Sequence, residues 1–243
     1  MSQCFQATAG ARGNMAVDAG LRAFMIGIYN KMGAGLVISA AIAYAVGTVP
    51  ALTNLVLGTP LKWVVMFGPI ALLLVAAFAM KRPTPLATGL IYWTVASLIG
   101  ASLGGWVAAA NAGLGVDFTT IGQAFFVTAT AFGGLSLWGY TTKRDLSGFG
   151  SFLIMALIGL IIASVVNLFL QSTMMTLIVS VIGVLLFSAL TAFDTQRLKN
   201  EYYQLQGDQR SMAVAKNWGA LSLYLNFINL FQFILMLMSG RDR

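Results

Sequence analysis

The stretch Val184-Leu-Leu-Phe-Ser-Ala-Leu-Thr-Ala-Phe-Asp194-Thr-Gln-Arg197-Leu-Lys199 decides how the chain is read. A long apolar run ends directly on a carboxylate. The chain has seven acidic residues: Asp18, Asp117, Asp145, Asp194, Glu201, Asp208 and Asp242. All but Asp194 lie in polar stretches between or outside the apolar segments. An acid fused to an apolar run is costly in hydrocarbon and marks a functional site by default.

The composition names the solvent. Of the 243 residues, 58% are hydrophobic and only 9% are charged, against roughly 25% charged in a soluble domain. That is a polytopic membrane protein. The formal charge of +7 is confined to short loops, where it reads as topology signals and affinity for anionic headgroups. No basic surface helix interleaved with aromatics is present, so nucleic acid is not an expected partner; the lipid bilayer is. Cys4 is the single cysteine and histidine is absent, which excludes an internal disulfide, a cysteine cluster and the commonest metal ligand. The N-terminus lacks the charged-then-apolar order of a secretory signal.

A span takes about 20 mostly apolar residues. Seven such segments are expected, at 23–46, 61–80, 86–109, 121–142, 149–170, 175–194 and 218–238. The polar gap 195–217 is expected to extend the sixth helix before turning. Residues 1–243 thus form a single polytopic membrane domain, with 1–20 a flexible cytosolic tail. Lysine and arginine orient it. One side holds Arg12, Arg22, Lys81, Arg82, Lys143, Arg144, Arg197, Lys199, Arg210 and Lys216. The other holds Lys62, Arg241 and Arg243. Ten against three, with Lys31 uncounted, puts the N-terminus in the cytosol. A re-entrant last segment would keep Arg241 and Arg243 inside; its length favours a full crossing.

This places Asp194 at the cytosolic end of the sixth span, where a helix C-terminus adds its own negative partial charge. Arg197, three residues on, can share a face with it. A neutral, inert Asp–Arg pair at headgroup level is one reading of this. Small residues mark close helix approach: Gly35 with Ser39 in the first span, Gly100 with Gly104 in the third, Gly133 and Gly134 in the fourth. Pro69 should kink the second. In the last span Ser222, Asn226 and Asn229 are spaced four then three, so at about 100° per residue they share a face. Such a stripe is either interhelical glue, at about 0.6 kcal/mol a bond, or the lining of a polar path. Its carbonyls and the Asp194 carboxylate are oxygen donors, the kind that suits calcium.

The run Phe187–Lys199, followed by Ala220-Leu-Ser-Leu-Tyr-Leu-Asn226-Phe-Ile-Asn229-Leu-Phe231, resembles the Bax inhibitor (transmembrane Bax-inhibitor-motif) family in its bacterial branch. So do Leu21-Arg22-Ala-Phe24 with Tyr29, and Phe132-Gly-Gly-Leu-Ser with Gly139-Tyr-Thr-Thr-Lys143-Arg-Asp145-Leu-Ser-Gly148. The resemblance covers nearly the whole chain. It implies an all-α integral membrane protein of seven transmembrane helices, the last central and enclosed by the other six. It implies a pH-sensitive calcium leak, with an acid at Asp194 paired to a second acid at the position of Asn226, and a basic latch at Lys81 or Arg82. Arg22 and Arg197 are further candidate charge partners. Here Asn226 is not an acid, so proton sharing between two carboxylates is lost and any leak should be less pH-gated. Asp194 is left as a weak calcium site.

Other seven-span chemistries fail on residue content. A retinal protein needs a lysine inside the last span, and Lys216 precedes it. An intramembrane aspartyl protease needs two acids. Gly134-Leu-Ser136-Leu-Trp138 lacks the second glycine of a nucleophile elbow. No enzyme and no cofactor is expected, with Ca2+ only as the transported ion. The same resemblance implies a rival to the leak, a regulatory membrane protein that binds a membrane quality-control protease or another membrane complex in a stress response. Recognition would then lie on residues 1–20 or on a lipid-facing surface. The bacterial inner membrane is the expected location.

Overall fold

The structure is a computed structural model that describes residues 2–80 and 82–239, with side chains described from Ala19 onward. Eight α-helices are present and no strand among the described residues. They are α1 (Ser2–Thr48), α2 (Pro50–Leu57), α3 (Leu61–Ala79), α4 (Pro85–Asn111), α5 (Phe118–Thr141), α6 (Gly150–Leu170), α7 (Thr173–Gln204) and α8 (Gln209–Ser239). All but the short α2 are long and apolar enough to cross a membrane, seven candidate spans in all, that of α1 being Ala19–Thr48. Apolar side chains cover the outside: Phe78 is 83% exposed and Phe169 81%. With seven candidate spans, a lipid environment is what removes such a surface from water.

The helix starts follow local chemistry. Thr84 accepts from the Ala87 amide at 3.2 Å ahead of Pro85. Asp117 accepts from the Thr120 amide at 2.6 Å, and Ser172 from the Met175 amide at 3.3 Å. Each satisfies an orphan N–H of a first turn. At the α7–α8 turn, Asp208 accepts from the amides of Arg210 and Ser211. Hydrogen bonds from Ser211 hold its carboxyl below the usual carboxylate range. The polar gap after Asp194 does continue the helix, to Gln204, before a turn at 205–208. Pro69 stands inside α3 without ending it. The short α2, which begins at Pro50, has no counterpart among the seven expected segments.

Two of the small-residue motifs face each other. A Cβ on Gly35 would strike the Tyr92 hydroxyl, one on Gly100 would lie 2.7 Å from Ser39 Cα, and one on Gly104 2.6 Å from Val46. These contacts set α1 against α4. Gly139 meets Ala192, joining α5 to α7, and Gly183 meets Phe233, joining α7 to α8. Gly133 and Gly134 do not mark a helix contact: a Cβ at either meets nothing within 4 Å, because both lie on the exposed side of α5.

The last span is the most buried, with 50% of its apolar window inside. Its principal neighbours are α1, α4, α5 and α7. The remaining two spans stand further out, α3 against α4 and α6 against α7. Enclosure by all six other spans is therefore narrowed to packing against four. α8 runs unbroken for 31 residues, about 46 Å at 1.5 Å per residue, so no re-entrant break interrupts it.

Candidate functional site

The α7–α8 seam carries the site. α7 brings Asp194 inward, where it is 5% exposed. Its Oδ2 accepts from Ser222 Oγ at 2.5 Å and from Asn226 Nδ2 at 2.8 Å. Its Oδ1 meets Arg197 Nη2 at 3.1 Å. The Arg197 side chain is 50% exposed and also donates to Ser222 Oγ at 3.4 Å. The spacing Ser222–Asn226 on α8 thus does aim two polar groups at Asp194, and Arg197 shares a face with it one turn on.

Three expectations are corrected. Asn229 does not join the cluster; its amide donates to the Leu225 carbonyl at 2.8 Å on its own helix. The helix dipole does not act against Asp194, because α7 continues to Gln204 and the dipole's effect is confined to the last turn. The single ion pair to Asp194 among the described residues comes from Arg197, while Arg22 and Arg82 are exposed and make none with it. Lys81 lies outside the described residues.

Asn226 presents its N–H2 to Asp194, so it acts as a donor. Its carbonyl would have to flip to become a cation ligand. No group of three acidic, histidine or cysteine residues that could hold a metal occurs among the described residues. Calcium takes six to eight oxygens. Asp194, Ser222 and a flipped Asn226 offer about half, the rest coming from water.

Sequence reasoning missed two neighbouring networks. Lys31, inside α1, donates to the Asn217 carbonyl oxygen on α8 and stands 5.1 Å from the Tyr92 ring centre. Asn217 in turn donates to Thr88 Oγ1 and the Pro85 carbonyl, both at 2.8 Å. A lysine in a span with no acid beside it was the available signal, since it has to find a neutral acceptor or a π face. The second network pins the α5–α6 connection. Gln196 accepts from the Leu146 amide and donates to the Arg144 carbonyl, both at 2.7 Å. Lys199 donates to the Tyr140 carbonyl at 3.0 Å. Both anchors stand within five residues of Asp194 on α7.

Two cavities approach the seam from opposite ends. One, about 600 Å³, lies at the basic end and is bordered by Phe193, Gln196, Arg197, Glu201, Trp218 and Gly219. The other, about 660 Å³, lies at the far end and is bordered by Asn167, Thr176, Ser180, Phe233, Met236 and Ser239. Between them stand the Asp194 cluster and the stacked rings of Phe187 and Phe233, 5.9 Å apart.

These features make the chain a seven-span helical bundle with a buried acid on its penultimate helix, met by serine and asparagine of the last. Residues 21–243 match the family described as "Inhibitor of apoptosis-promoting Bax1". The chain is 55% identical to an uncharacterised protein of Caulobacter vibrioides over 94% of this chain and 93% of that protein. It is 37% identical to the inner membrane protein YbhL of Escherichia coli K12, over 92% of this chain and 94% of YbhL. With the uncharacterised protein RP147 of Rickettsia prowazekii it shares 36% identity over 94% of each chain. The chain belongs to the Bax inhibitor-1 family.

Proposed function

We propose that this chain is a gated cation leak with calcium as cargo, and that Asp194 with Arg197 forms its closed gate. The observation that carries the reading is the position of a buried carboxylate between two cavities of mixed polar and apolar lining, closed by a guanidinium that is itself half exposed. Arg197 neutralises Asp194 without burying its own charge, so it can swing into the cavity at the basic end. Asp194 then faces that cavity with an oxygen free. A single carboxylate binds calcium weakly, and weak binding suits passage, since an ion must leave as readily as it enters.

The gate differs from a pair of acids. Asn226 donates one hydrogen bond and carries no charge, so no proton is shared between two carboxylates. A leak through this seam therefore depends on pH only weakly. The lysine and arginine distribution puts the basic end in the cytosol. YbhL is an inner membrane protein, and the same membrane is proposed for this chain.

The test is reconstituted flux of Ca²⁺, K⁺ and H⁺ for the parent and Asp194→Asn. A changed calcium flux in the variant, with any preference over K⁺ lost because the carboxylate ligand is gone, supports the reading. Equal flux in both sinks it. The satisfied Asp194 oxygens would then be glue between α7 and α8, and a regulatory role would stand in its place, through a membrane protease or another membrane complex.

A further inference from the structure

α1 and α5 both pack on α8 but do not pair with each other along their length. The gap between them is a groove of about 550 Å³ that opens on the lipid-facing side. Arg22 stands at one end, exposed and without an acid partner among the described residues. Tyr140, in the last turn of α5, is at the same end. One turn deeper on α5 is Ser136, 6% exposed, whose hydroxyl has no hydrogen-bond partner among the described residues. Deeper again is Gly133, where a Cβ would meet open space, with Met25 and Phe132 behind it.

This order of chemistry follows the axis of the bundle. Arg22 to Tyr29 on α1, and Tyr140 to Gly133 on α5, each span about 10 Å of helix rise. A cation therefore sits at the end of the groove, an orphan hydroxyl within it and an apolar trough beyond. A buried hydroxyl left without a partner keeps the full cost of its desolvation. A native structure needs an explanation for one.

The geometry points to a binding site for one anionic glycerophospholipid, drawn from the leaflet at the basic end, in the α1–α5 groove. The phosphate meets Arg22, an ester carbonyl accepts from Ser136, and an acyl chain lies in the trough that Gly133 leaves open. Charge complementarity selects the anionic headgroup, and the missing partner of Ser136 selects an amphiphile with an acceptor about one turn below its charge. The site is separate from the α7–α8 seam and does not depend on the leak reading.

The test is native mass spectrometry of the detergent-solubilised protein titrated with phosphatidylglycerol or phosphatidylcholine. The parent should retain one phosphatidylglycerol in preference to phosphatidylcholine. Arg22→Gln should lower that retention about fivefold, the effect of one lost cation at a headgroup. Gly133→Leu, which fills the trough from open space and so should fold, should lower retention of both lipids. Gly134→Leu, next along but outside the groove, should leave both unchanged. Equal retention of the two lipids by the parent, parent-like phosphatidylglycerol retention in Arg22→Gln and Gly133→Leu, or an equal loss in Gly134→Leu would each overturn the assignment.

Discussion

Asp194 is held by three donors of different kinds: a hydroxyl, an amide and a guanidinium. Only the guanidinium is half in solvent, and this asymmetry is why Arg197 rather than Ser222 or Asn226 is assigned the moving part. On the proposed leak reading, Asn226 is the residue that would set the pH response. Replacing it with aspartate puts a second carboxylate beside the first, and two like charges at hydrogen-bond distance cannot easily both ionise. The expected outcome is that calcium flux of Asn226→Asp becomes steeply acid-dependent while the parent's stays shallow. A parent with an equally steep profile would refute the role given to the amide. The placement of Asp194, Arg197, Ser222 and Asn226 was legible in the sequence because helical spacing is a property of the local chain. Asn229 was misread because the same 3.6-residue period that puts a side chain on a face does not say whether a polar partner stands at that level of the facing helix. It lies about two turns from Ser222 and bonds to its own helix instead.

At the scale of elements, the α1–α4 contact is the most constrained. It depends on Gly35, Gly100 and Gly104, where even a methyl group would reach a ring, the backbone or a branched side chain of the neighbour. Gly100→Leu should force the helices apart, an overpacking cost of about 1–3 kcal/mol or more. It should lower the midpoint of thermal aggregation of the purified protein. Gly134→Leu, with open space around it, should leave that midpoint at the parent's value. A parent-like midpoint for Gly100→Leu would show that the contact can relax. The glycine motifs revealed which segments contain close contacts, but not which glycines make them. Gly133 and Gly134 carry the same residue type on the exposed side of α5, while Gly139 makes the buried contact with Ala192. Only the pairing of helices, a long-range property, separates the two cases. The same limit hid Gln196, whose role depends on backbone groups of Arg144 and Leu146 some fifty residues away in the chain.

For the whole molecule, the spans were legible because an apolar run of about 20 residues has few alternatives in a bilayer. Their arrangement was less so. Four spans pack against α8, while α3 and α6 lie outside that group, which hydropathy cannot distinguish since both kinds of helix are apolar. The resulting bundle puts the one buried acid among the described residues on the seam of its two longest apolar spans, α7 and α8, with a cavity at either end. In the proposed leak, Arg197 closes this seam. A half-exposed ion pair contributes about 1 kcal/mol, so its loss should raise an open population roughly fivefold. The direct measurement is calcium flux into proteoliposomes at fixed pH for the parent, Arg197→Lys and Arg197→Gln, at matched protein content. Arg197→Gln should leak calcium several times faster than the parent, with Arg197→Lys between them. Flux in Arg197→Gln at or below the parent's, in protein of unchanged thermal stability, would contradict the gate.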